Sequence, residues 1–300
     1  MFEPSSVPLR RLVWIALALS LGAAVSLGIT RFAYGLLLPV MREDLDWGYT
    51  LAGAMNTANA GGYLLGALAT PWLMRRFGAA RVLLAGAVLA SGFMAASGFF
   101  TAAGPLLLQR LLAGVASAFV FVAGGLLAAR LGAQAPQHAG LLLGLYYGGT
   151  GWGISASALA VPGLLRAAAD VPHGWSWAWW GLALLCLLAT LVLWWPASIL
   201  QKSELLAHTG QAPAAHLIHE PLPWRRMMPA LAGYTLFGVG YIGYMTFVIA
   251  LLREQGVAPA AITLFYALLG LAVVASARIW AGLLDRARGG GALALLNALL

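Results

Sequence analysis

Residues 12–41 read LVWIALALSLGAAVSLGITRFAYGLLLPVM, an apolar run whose only charge is Arg31. Arg10 and Arg11 stand ahead of it, so its start imitates a secretory signal. The apolar part of a signal ends within ~15 residues, whereas this run continues to Met41. A helix needs ~20 apolar residues to cross a bilayer. The stretch therefore reads as a first transmembrane span, and it sets the pattern for the rest of the chain.

Only 9% of the 300 residues are charged, 62% are hydrophobic and mean hydropathy is +0.87. Soluble domains carry roughly 25% charged residues, so this chain cannot clothe a water-facing surface. The net charge of +8 does not point to nucleic acid, because the arginines form no stripe with interleaved aromatics. Cys186 is the single cysteine, which excludes an intrachain disulfide.

Punctuation by Gly, Pro and charge predicts spans at 12–40, 50–74, 79–99, 104–130, 139–166, 174–196, 227–252 and 258–284, with a ninth starting near 290. A polar connection at 198–226 separates an N-terminal six-helix half (1–197) from residues 227–300, which hold helices 7, 8 and part of 9. With a cytoplasmic N-terminus, eleven arginines and lysines fall in inside loops and three, Arg42, Arg166 and Arg253, in outside loops. That bias fixes the expected orientation. Trp175, Trp177, Trp179 and Trp180 open the sixth span and Trp194 and Trp195 close it, as interfacial aromatics do.

A shift of 211 residues superimposes Arg42-Glu43 on Arg253-Glu254, Arg75 on Arg286 and Gly78 on Gly289. Such a match predicts a parallel repeat of six-helix halves. The same shift sets Leu300 on Leu89, inside the third span, so about 8.5 of twelve helices are expected.

RLLAGVASA (Arg110 to Ala118), GLYYGGTGWG (Gly144 to Gly153) and the turn PWLMRRFGAAR (Pro71 to Arg81) resemble three elements of the major facilitator superfamily (MFS). Arg75 stands where that turn ordinarily has an acid, while the second-half counterpart GLLDRARGGG keeps Asp285 and Arg286. RFAYGLLLPVMREDLDW (Arg31 to Trp47) and NTANAGGYLLGA (Asn56 to Ala67) are similar to the YbfB/YjiJ family of bacterial MFS transporters. The resemblance implies an all-α polytopic permease of the bacterial cytoplasmic (inner) membrane, driven by an ion gradient. It also implies gating or coupling roles for Arg76, Asp285 and Arg286, and for Arg110 near a proton-transfer carboxylate.

Charge inside a bilayer is costly and marks function or a specific partner. Arg31 lies near the expected midplane, with Tyr34 one turn on. A guanidinium there suits an anionic or carboxylate-bearing small solute. Its structural alternative is a bond to neighbouring carbonyls and Asn side chains. Asn56 and Asn59 share a face of the second span. Tyr146, Tyr147 and Thr150 in the fifth and Tyr241 and Tyr244 in the seventh complete the expected cavity, since polar groups avoid lipid. All nine acids lie in or beside loops, so for proton coupling either Asp44 or Asp46 acts at the outer mouth, the substrate carries the proton, or further helices supply the acid.

No Gly-x-Ser-x-Gly elbow, H-E-x-x-H helix or P-loop is present, so no enzyme chemistry and no cofactor are expected. HLIHE at His216 to Glu220 sits in the polar connection and reads as solvated linker rather than a metal site. The expectation is a secondary transporter working by alternating access in a lipid bilayer, with protons as a candidate coupling ion. A channel-like pore, or an intramembrane enzyme or binding protein, is the alternative.

Overall fold

A computed structural model of the chain describes residues 8–209, 224–280 and 295. All regular structure among the described residues is helical. The first span is built in three pieces: α1 (Leu9–Ala23), a π-helical segment (Ala24–Ile29), and α2 (Tyr34–Asp44) after a turn. There follow α3 (Tyr49–Phe77), α4 (Ala79–Ser97), α5 (Ala103–Ala133), α6 (Ala139–Ala167), α7 (Trp175–Thr209), α8 (Trp224–Glu254) and α9 (Pro259–Ile279). These match the eight predicted spans. The expected ninth, together with Asp285, Arg286 and HLIHE, lies outside the described residues.

Six of these segments are long and apolar enough to cross a membrane by length and composition. The other two, α3 and α6, are 29 residues each but hold the Asn, Tyr and Gly positions that lower hydropathy. Polar groups kept off the lipid face must be satisfied inside the bundle, and Asn56, Asn59, Tyr146 and Thr150 are all buried. α7 runs through Pro196 to Thr209, so helix extends into what the sequence presents as linker. Its tryptophans divide by face: Trp175 and Trp179, one turn apart, are buried, while Trp177, Trp194 and Trp195 are exposed. Only the second group can form an interfacial belt.

Close backbone contact holds the helices. Against α5, a Cβ on Gly62 would lie 1.9 Å from the Leu111 carbonyl oxygen and one on Gly66 2.5 Å from that of Val115. Against the first span, Gly149 approaches the Ser20 carbonyl and Gly153 that of Ala24. Small residues let backbones meet where lipid supplies no hydrophobic drive between helices.

Residues before 197 and residues after 227 meet at one end and along α6 and α9, where Gly151 packs on Gly270 and Val274. Arg42, closing α2, packs 4.3 Å from the Tyr49 ring, and the Tyr49 hydroxyl donates to Glu254, which closes α8. The repeat markers Arg42-Glu43 and Arg253-Glu254 thus share one end of the bundle. At the opposite end Arg75, Arg76, Arg81 and Arg130 surround a pocket of about 650 Å³. Toward that end Leu231, Tyr234, Leu236 and Val239 of α8 are exposed. Gly233, Gly238 and Gly240 there have no atom within 4 Å of a Cβ position. The core divides into two clusters: one draws on α2, α3, α6, α8 and α9 together, and the other lies between Leu12 and Leu200, within α1 and α3 to α7.

Gly62→Ala must push α3 off α5, and overpacking of this kind costs about 1–3 kcal/mol. A lower thermal midpoint of the purified protein in detergent is expected for Gly62→Ala. Gly61→Ala, with open space at its Cβ, should leave the midpoint unchanged, and equal behaviour of the two variants would contradict this packing.

Candidate functional site

The break in the first span organises the site. Along the π segment, bonds run from the Thr30 amide to the Val25 carbonyl and from Phe32 to Leu27, both 3.1 Å. The turn then tightens, with Gly35 donating to Phe32 at 3.2 Å and Leu36 to Ala33 at 3.1 Å. Changing the bond from five residues to three rotates successive side chains away from regular helical spacing. Arg31 and Tyr34, expected on one face, consequently point to different places.

Tyr34 faces the core. Its hydroxyl donates to the Ala52 carbonyl at 2.8 Å, and its ring stacks on Trp179 with centroids 6.5 Å apart. Arg110 is there too, 1% exposed. Its guanidinium lies 5.0 Å from the Tyr34 ring and 5.6 Å from that of Trp179. Arg110 Nη1 donates to the Thr30 carbonyl at 2.7 Å, while Nε and Nη2 have no partner among the described residues. Asn59 donates to the Arg110 carbonyl at 3.0 Å. Arg110, Tyr34 and Asn59 thus form one buried assembly that clamps the broken span to α3, α5 and α7. No described carboxylate bonds to Arg110.

Arg31 is partly exposed. It makes no hydrogen bond or ion pair among the described residues, and its neighbours are rings. The guanidinium lies 5.9 Å from the Phe32 centroid and 6.0 Å from that of Tyr63, and within electrostatic reach of Tyr241 and Tyr234. Two aromatic rows extend from it. On α8, Tyr241 meets Phe32 edge-on at 5.8 Å and stacks on Phe237 at 5.4 Å, and Phe237 in turn contacts Tyr234 at 6.1 Å. In the other row, Tyr63 contacts Phe121 at 6.4 Å, and Phe121 contacts Tyr147 at 5.4 Å.

The remaining expected residues separate. Tyr146 donates to the Phe121 carbonyl at 2.9 Å and is sealed in the core, whereas Tyr147 is exposed. Thr150 is buried where the α6 backbone meets Gly28 of the π segment. Asn56 reaches across the halves, donating to Thr246 Oγ1 at 2.6 Å. Tyr244 is exposed and lines a surface pocket with Tyr49, Phe247 and Glu254, at the closed end. Asp44 accepts from Trp175 Nε1 at 2.5 Å and lies 2.6 Å from His173 Nδ1. Asp46 sits in the turn before α3, in the left-handed region with φ 49°.

Sequence reasoning passed over Tyr63, although it follows Asn59 by one turn and so shares its face. It also passed over Tyr266, whose hydroxyl donates to the Phe32 carbonyl at 3.0 Å, and Thr246, His173 and Glu254. Those contacts join positions far apart in the chain and leave no local signal.

A helical bundle with a broken first span and a partly exposed arginine among aromatic rings is the arrangement that comparison with known proteins places among transporters of the major facilitator type. The fold is similar to that of a D-xylose–proton symporter, at 16% identity and a TM-score of 0.63, over 93% of this chain and 69% of that one. It is also similar to the structure described as tetrameric PepTSo2, at 17% identity and a TM-score of 0.52, over 94% of this chain and 56% of that one. Residues 23–299 match the family described as "Uncharacterised MFS-type transporter YbfB". The chain belongs to that family; it is a multi-pass membrane transporter, not an enzyme. No curated protein sequence matches it.

Arg110→Ala removes a charged hydrogen bond worth about 1.5–3 kcal/mol and should lower the thermal midpoint in detergent. Arg31→Ala should stay within about 0.5 kcal/mol of the parent. Equal losses would contradict the division of labour between the two arginines.

Proposed function

We propose that the protein carries a small anionic organic solute across the bacterial cytoplasmic membrane by alternating access, with Arg31 as the solute's charge partner. The observation that carries the reading is a partly exposed guanidinium, in the broken first span, that no described acid or carbonyl satisfies. A charge in that position is expensive unless something charged visits it, and a carboxylate matches the fork of an arginine. Secondary transporters bind near the midplane at discontinuous helices.

The basic turns put the N-terminus and the Arg75 end on the cytoplasmic side. On that orientation the closed end is external and the arrangement faces inward. Its external closure consists of Tyr49 on Glu254, Asn56 on Thr246, Tyr266 on the Phe32 carbonyl and Ser155 on the Ala267 carbonyl. These contacts join residues before 197 to residues after 227, our two proposed halves, and each must break for the outward-facing state. Binding must favour one state over the other in free energy if it is to drive the exchange. Protons are the proposed coupling ion. No described acid bonds Arg31 or Arg110, so the proton would pass through Asp44 or Asp46 at the mouth, or enter on the solute and leave it before the carboxylate pairs with Arg31. Arg76, Asp285 and Arg286 would act at the cytoplasmic turns.

Two experiments test this. Arg31→Ala should abolish counterflow of labelled carboxylates in proteoliposomes while inserting normally. Counterflow at the parent rate would remove Arg31 from the mechanism. Tyr49→Cys with Glu254→Cys, joined by a short bifunctional thiol reagent in a Cys186→Ala background, should stop counterflow until the bridge is reduced. Undiminished flux through the bridged protein would rule out alternating access and favour a pore.

A further inference from the structure

The surroundings of Arg31 narrow the solute beyond its charge, and this step rests on the carboxylate reading above. Three properties of the site act together. The first is a single accessible cation beside these rings among the described residues: Arg31 is partly exposed, whereas Arg110 is 1% exposed and committed to the Thr30 carbonyl. One fork matches one carboxylate, so a dicarboxylate would bring a second charge with no partner into a low-dielectric site. The second is the absence of an opposing acid among the described residues around Arg31. An amino acid or other zwitterion would leave its ammonium without an ion-pair partner, beside a guanidinium that repels it.

The third property is the wall chemistry. Phe32, Tyr241 and Phe237 form a continuous ring contact on one side, and Tyr63, Phe121 and Tyr147 on the other. Sugar-like solutes are recognised through many hydroxyl bonds, and these walls present mainly faces and edges of rings. Flat aromatic bodies pack on such surfaces by offset stacking or edge-to-face contact. The polar atoms the walls do carry are the phenol hydroxyls of Tyr63, Tyr147, Tyr234 and Tyr241, which lie within electrostatic reach of Arg31 or of one another. Each phenol can donate or accept a hydrogen bond, which suits a ring bearing hydroxyl or ether oxygens. From this combination we infer that the transported solute is an aromatic monocarboxylate, its carboxylate on Arg31 and its ring between Tyr63 and Tyr241.

The chain purified in detergent can be titrated with 4-hydroxybenzoate, hexanoate, benzyl alcohol and phenylalanine, with ligand stabilisation of the thermal midpoint as readout. 4-Hydroxybenzoate should bind at least about tenfold more tightly than hexanoate, the order that one good ring contact supplies. Benzyl alcohol and phenylalanine should not shift the midpoint. Arg31→Gln should abolish both carboxylate responses. Tyr63→Leu should narrow the preference for 4-hydroxybenzoate over hexanoate toward unity. If hexanoate equals or exceeds 4-hydroxybenzoate and Arg31→Gln removes both, the aromatic assignment is overturned and the carboxylate reading stands. If neither carboxylate binds, or Arg31→Gln binds them as the parent does, both readings fall together.

Discussion

A backbone that leaves regular helical geometry inside a bilayer must find its hydrogen bonds within the protein, because lipid offers none. The first span does this between Ala24 and Ala33. Its amides switch from five-residue to three-residue bonding, and two carbonyls take side-chain donors from distant helices, Thr30 from Arg110 and Phe32 from Tyr266. One donor comes from the first half and the other from α9. The break is therefore stabilised both from within residues 1–197 and, through Tyr266, from α9, and the position of Arg31 depends on both.

This constraint explains why two arginines at comparable depth differ so completely. Arg110 is spent on structure: it satisfies a carbonyl, lies against two rings and receives Asn59 at its own backbone. Arg31, carried on the turn itself, has rings for neighbours and is partly exposed. Arg110 is sealed at 1% exposure against one carbonyl and two rings, where no solute can reach it, and Arg31 is the arginine left available to a visiting anion.

Much of the architecture was legible because the bilayer leaves few choices. Span positions followed from apolar length, and the common end of Arg42 and Arg253 from the repeat. The close packing at Gly62, Gly66, Gly149 and Gly153 corresponds to glycines spaced four apart, a pattern that small residues at helix contacts leave in a sequence. The site was legible only in part. Asn59 and Asn56, which share a face in the sequence, are both buried and serve different neighbours, Arg110 and Thr246. Placing Tyr34 beside Arg31 assumed an unbroken helix, and no proline or charge in residues 24–30 announces the π segment. Asp44 meets His173 and Trp175 through a turn far along the chain, a pairing that no local pattern encodes. Where a residue's role depends on what crosses it in space, the sequence supplied the candidate and the fold chose the partner.

The account stands on Arg31 opening to water while Arg110 does not. Modification of the parent protein by phenylglyoxal, followed peptide by peptide by mass spectrometry, measures that difference directly. Arg31 should react in the folded protein and Arg110 only after unfolding. Protection of Arg31, or reaction of Arg110 at the same rate, would contradict the account at its root.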